Sequence, residues 1–100
     1  MIARTWTGEV ALDRSDEYLQ LMRSVAIPAY AETPGNMGAW ALRRDLDNRT
    51  QFTMLTFWDS EESIKAFAGN DINVARYFDF DPEILIEMVP NVDHFEMYNS

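Results

Sequence analysis

The stretch that most limits the fold is Gln51–Trp58, QFTMLTFW. It is rich in β-branched and aromatic side chains and reads as the body of a strand over Thr50–Trp58. Successive side chains of a strand point to opposite faces. Phe52, Met54, Thr56 and Trp58 therefore share one face, and Thr53, Leu55 and Phe57 the other. Neither face is polar. Such a strand has to be covered on both sides, yet the acidic DSEE that follows reads as the start of a helix able to cover only one.

The flanking sequence supplies the other elements. Ile2–Thr7 alternates as a first strand, and Gly8–Leu12 reads as a connector. Asp13 or Ser15 is expected to cap a helix whose apolar stripe is Tyr18, Met22, Val25 and Ala29. Pro28, with no N–H to donate, is expected to kink or end it. TPGN at Thr33–Asn36 is a turn, Gly38–Arg44 a second strand, and Asp45, Asp47 and Asn48 a further turn. Asp59 and Glu62 have capping-box spacing before a helix through Ile64, Phe67 and Ala68, which Gly69 stops. Asp71–Tyr77 is expected as a short helix, DFDPEILIE as an irregular or one-turn segment, and Asn91–Tyr98 as a last strand.

This order, β-α-β-β-α-β, predicts a ferredoxin-like α+β fold over residues 1–100, a four-stranded antiparallel sheet with its helices on one face. The uncovered face would then carry Leu55, Phe57, Phe95 and Met97. An apolar patch of that kind marks an interface, and a two-fold sheet-to-sheet homodimer is its simplest closure. The alternative, a C-terminal segment folding back as a cover, is expected to have little chain before Ser100 to do so.

Composition narrows the partners. Seventeen acidic residues against eight basic ones give a net charge of −9, which repels phosphate backbones and anionic lipid, so neither nucleic acid nor membrane is an expected partner. The chain has no cysteine, which excludes disulfides, thiolate catalysis and Cys-ligated metals. Thr33–Leu42, the longest uncharged run, cannot span a bilayer, and MIARTWTGEV lacks the apolar core of a signal peptide. A cytoplasmic location is the expectation.

No P-loop, GxGxxG or Ser-His-Asp pattern is present. His94, the single histidine, is the side chain suited to act as a base near neutral pH, with Glu96 on its own face to orient it, or it is a structural edge-strand residue. One His beside Asp93 and Glu96 lacks metal-ligand spacing, and DFDPE lacks that of a calcium loop, so no metal is expected and DFDPE reads as acidic surface and capping. Trp58, at the end of the central strand, is either a pocket wall or a core aromatic. Arg4 shares the face of Trp6. If buried it needs a carboxylate, within or between subunits, or a bound anion.

MIARTW at the start, TPGNMGAWALRR after the first helix, FWDSEESIKAFAG at the strand–helix junction and VDHFEMY near the end together resemble the antibiotic biosynthesis monooxygenase superfamily. The resemblance implies a dimeric α/β-barrel with a pocket in each subunit between sheet and helices. Some relatives oxidise anthrone-type polyketides to quinones with dioxygen and neither metal nor flavin, and others cleave haem. The Trp of the anthrone-oxidising branch falls at Trp58 and its Arg at Arg76, whereas its Asn falls at Met54 and its Tyr at Ile64. The Trp and His of the haem-cleaving branch fall at Phe67 and Tyr77, which disfavours haem.

The combined expectation is a cofactor-independent monooxygenase of a small aromatic molecule, or a non-catalytic ligand-binding dimer of the same fold. Trp58 and His94 are the candidate catalytic residues. Met54, Thr56, Tyr77, Arg76, Trp6 and Arg4 are the candidate substrate contacts, with Met54, Thr56 and Trp58 facing a cavity that Tyr77 and Arg76 close.

Overall fold

A computed structural model describes residues 1–89 and 92–99, so Asn91, expected to open the last strand, and the terminal Ser100 lie outside the described residues. In chain order it contains β1 (Ile2–Ala11), α1 (Ser15–Leu21), α2 (Ile27–Ala31), β2 (Asn36–Asp45), β3 (Arg49–Trp58), α3 (Glu61–Ala68), the single turn α4 (Asp81–Ile84) and β4 (Asp93–Glu96). All neighbouring strands are antiparallel, in the order β2-β3-β1-β4. This is the ferredoxin-like α+β arrangement. No helix among the described residues is long and apolar enough to cross a membrane.

β3 is central, with β1 on one side and β2 on the other. Its alternation holds along its length: Phe52, Met54, Thr56 and Trp58 are buried, while Thr53, Leu55 and Phe57 are half-exposed. The helices lie over the buried set. Tyr18 of α1 packs on Phe52 at 5.2 Å, and Phe67 of α3 on Trp58 at 5.9 Å between ring centroids.

β1 runs on through the expected connector. Gly8–Ala11 stay in register with Phe52–Arg49, because Val10 has a buried place opposite Thr50. The Trp6 ring lies across Gly8, where a Cβ would collide with it, so the glycine serves a close approach and not a turn. β4 pairs only with Ile2–Thr5, and Leu85 and Ile86 take up part of the remaining edge at Val10 and Glu9.

Neither Asp13 nor Ser15 caps α1. Arg14 occupies the cap position without a side-chain bond, and the Ser15 hydroxyl donates back to the Leu12 carbonyl at 2.7 Å. The buried stripe is Tyr18, Met22, Ala26 and Tyr30, whereas Val25 is 42% exposed. Residues spaced by four drift round an α-helix, and the wider π turn at Met22–Ala26 takes out that drift. The same turn admits Pro28, which sits in the first turn of α2, and the helix continues to Ala31.

Ser60, not Asp59, caps α3, its Oγ accepting the Ser63 N–H at 3.3 Å, and Gly69 ends the helix with φ 95°. The expected helix at Asp71–Tyr77 is replaced by a turn and extended chain. Asp71 holds the Asn73 N–H at 3.0 Å and the Val74 N–H at 3.3 Å, while the carbonyls of Ile72 and Val74 are taken by the Arg4 guanidinium.

Candidate functional site

Between the helices and the sheet lies a narrow cavity, about 20 Å³ measured as space for the centre of a water molecule. Trp6 of β1 and Met54 of β3 form its floor. The helical stripe of Tyr18, Met22, Ala26 and Tyr30 forms one wall, and Arg76, Phe78, Phe80 and Asp81 form the other. The π turn matters here, since it keeps four side chains of one helical run directed at the same space. Across from them, Phe78 and Phe80 stack at 5.7 Å with their planes only 6° apart. Arg76 lies over Phe67 at 4.5 Å and Phe78 at 5.3 Å, and its Nη1 donates to the Phe67 carbonyl at 3.4 Å. Stacking on two rings keeps a cation at the edge of an apolar space.

Of the residues expected from sequence, Trp6, Met54 and Arg76 meet at this cavity. Trp58 and Thr56 sit behind it. The Trp58 indole N–H donates to Thr56 Oγ1 at 2.8 Å, its ring packs against Tyr30 and Phe67, and both residues are buried. Phe67 of α3 comes down onto the Trp58 ring, and Ile64 is buried in the same cluster. Trp6 is the indole that reaches the cavity: its Nε1–H is buried and finds no acceptor among the described residues. A buried donor left unpaired is costly and calls for an explanation.

Arg4, His94 and Tyr77 lie outside the lining of the cavity. Arg4 is 2% exposed and has no carboxylate within ion-pair distance among the described residues. Its Nη2 donates instead to the carbonyls of Val74 at 3.2 Å and Ile72 at 3.4 Å, pinning the segment that carries Arg76 to the sheet. Burial holds its guanidinium below the ordinary value, and the Tyr30 hydroxyl opposes that. His94 pairs with Arg4 across β1 and β4. Burial, then the Arg4 charge, hold its imidazole below the usual histidine value. Its Nε2 has no partner among the described residues, and Glu96, expected to orient it, accepts from Tyr98 at 2.6 Å instead. The Tyr77 hydroxyl is also without a partner among the described residues.

The sequence reading missed Tyr18, Tyr30 and Asp81. Asp81 belongs to the DFDPE run read as surface, yet it is 3% exposed. Its Oδ1 accepts the Tyr18 hydroxyl at 2.7 Å and its Oδ2 the Phe78 N–H at 2.7 Å. The pattern available in sequence was the spacing by four from Tyr18 to Tyr30.

The residues do not fit haem. The cavity wall holds no histidine, Phe67 packs on Tyr30 at 4.2 Å, and Tyr77 is not in the lining. Among the described residues no group of three His, Cys, Asp or Glu side chains is placed to hold a metal ion.

Comparison with known proteins agrees with the fold. Residues 1–73 match the family model described as antibiotic biosynthesis monooxygenase. A Bacillus cereus structure described provisionally as an antibiotic biosynthesis monooxygenase superposes with a TM-score of 0.60 at 19% identity, over 94% of this chain and 87% of that one. A substitution variant of MhuD, crystallised with two manganese protoporphyrin IX molecules per active site, superposes with a TM-score of 0.61 at 16% identity, over 100% and 97%. None of the curated proteins matches. At these identities the two structures establish the fold, and the match over residues 1–73 establishes the family: the chain belongs to the antibiotic biosynthesis monooxygenases.

Proposed function

We propose that the protein is a cofactor-independent oxygenase of a small, flat phenol or carbon acid, held between Trp6 and the Phe78–Phe80 stack. The observation that carries this reading is the Trp6 indole N–H, without an acceptor among the described residues, together with the Arg76 guanidinium and the Asp81 carboxyl in walls that are otherwise mostly aromatic and thioether. An aromatic substrate is held by stacking. When it loses a proton, the charge left on its oxygen finds the Trp6 and Arg76 donors beside an apolar space. Dioxygen then takes the electrons, a C–O bond forms, and the peroxide loses water. For a methylene carbon the reaction balances with no further reductant: one methylene and one dioxygen give one ketone and one water.

The cavity is closed around far less volume than the roughly 300 Å³ or more that a drug-sized ligand fills. Entry therefore asks the Arg76–Phe80 segment to swing outward. The same reading assigns the open sheet face, with Trp40, Leu42, Leu55, Phe57 and Phe95, to a two-fold homodimer. A cytoplasmic location is part of the proposal.

Titrating a panel of hydroxylated polycyclic aromatics by tryptophan fluorescence, with oxygen uptake followed in parallel, tests it. Binding with uptake of one dioxygen per quinone formed supports the oxygenase. Met54, a thioether where the anthrone-oxidising relatives carry an amide, favours the second reading, a binding dimer without turnover. Binding with no oxygen uptake would establish that one.

A further inference from the structure

Asp81 is a buried carboxylate that neither packing nor ion pairing explains. It lines the cavity, it lies in a one-turn helix too short for a dipole effect of consequence, and no Lys or Arg approaches it within ion-pair distance among the described residues. Tyr18 and the Phe78 N–H each use one lone pair, on different oxygens. A carboxylate offers about four such sites, so each oxygen retains one for a further proton or donor. Tyr18 is itself fixed, its ring against Phe52 at 5.2 Å and Phe80 at 5.8 Å.

We propose that Asp81, positioned by Tyr18, is the base that takes the proton from the bound carbon acid or phenol. This rests on the oxygenase reading of the same cavity and gives it the group it lacks, since His94 lies outside the lining. The substrate C–H or O–H bond breaks, its electron pair stays on the substrate, and the proton goes to a carboxylate oxygen of Asp81. Trp6 Nε1–H and Arg76 face the resulting anion, and dioxygen is the acceptor of its electrons. Burial holds the Asp81 carboxyl above its ordinary value, against the two hydrogen bonds that lower it, which brings it closer to a weak carbon acid. The titratable and charged groups around it are Tyr18 and Tyr30 on the helices and Arg76 and Tyr77 on its own segment. β1 and β3 contribute Trp6 and Met54, which do not titrate.

The test is anaerobic exchange of the methylene hydrogens of anthrone in heavy water, followed by NMR across a pH series. No oxygen step contributes to it. The wild-type chain is expected to accelerate exchange, with a rate that rises as the Asp81 carboxylate forms. Asp81→Asn should lower the rate by about 100-fold or more while anthrone still quenches tryptophan fluorescence. Tyr18→Phe removes one of the two donors that favour the charged carboxylate, so its acidic limb should move to higher pH. A merely structural Tyr18 would not move that limb, and this variant decides the matter if circular dichroism finds Asp81→Asn unfolded. Exchange by folded Asp81→Asn at the wild-type rate, or an unmoved limb in Tyr18→Phe, would overturn the assignment. Failure of the wild-type chain to bind anthrone at all would instead overturn the reading of the cavity on which it rests.

Discussion

Two tryptophans, one on each face of the sheet, lie over a glycine two residues away. On the helix side Trp6 crosses Gly8, and on the open side Trp40 crosses Gly38. Their surroundings differ. Trp6 lines the cavity with its N–H buried and unpaired among the described residues, whereas Trp40 is 49% exposed and has its ring 5.2 Å from that of Phe57. The same local device serves a site on one face and leaves an apolar surface on the other. What distinguishes the two is the layer above. Helices cover the first, and on the second Phe95 is 54% exposed. One β-strand pattern thus provides both the floor of a cavity and an exposed apolar surface.

The comparison breaks most sharply at Trp58, which backs the cavity without lining it. Trp58→Ala should cost about 3–5 kcal/mol of stability in denaturant melts, as expected for a fully buried aromatic, and anthrone should not restore it. On the open face, Phe57→Asp should leave the monomer folded but weaken association by about 2–3 kcal/mol, roughly 100-fold in dissociation constant, read by sedimentation equilibrium. A wild-type chain that sediments as a folded monomer at micromolar concentration would remove the role given to that face. A smaller effect is expected at Thr56→Val, which leaves the Trp58 indole N–H without its acceptor and should cost about 1–3 kcal/mol.

The smallest effect is on the pH dependence of stability. The Asp81 carboxyl is raised in the folded chain above its ordinary 3.8, so the folded state binds the proton more tightly than the unfolded state does. Wild type should therefore lose stability relative to Asp81→Asn as pH rises from about 4 through the raised value, and the difference should level off beyond it. Urea melts at intervals across that range give the slope. Wild type gaining stability relative to Asp81→Asn as pH rose would have the wrong sign for a carboxyl raised by burial.

The topology and the two faces of β3 were legible because strand alternation has a period of two and is not altered by what packs above it. Phe52, Met54, Thr56 and Trp58 fall together by parity alone. The site was less legible, for three physical reasons. A π turn replaced the expected stripe through Val25 and Ala29 with one spaced by four, and nothing in the helical period announces it. Arg4 captured the carbonyls of Ile72 and Val74, turning an expected helix into the extended segment that delivers Arg76. Asp81 looks like surface in DFDPE because its partner Tyr18 lies 63 residues earlier in the chain. Which indole meets the cavity, Trp6 or Trp58, was decided by Phe67 descending on the second ring.

The division of labour between the faces is tested most directly by a crystal structure of the full chain with anthraquinone, the product of anthrone oxidation. The account predicts the rings between Trp6 and the Phe78–Phe80 stack, a carbonyl within hydrogen-bonding reach of Trp6 Nε1 or Arg76, and a second copy of the chain across Trp40 and Phe57. A quinone bound on the open face against Trp40 and Phe57, with the cavity under the helices still closed, would contradict it.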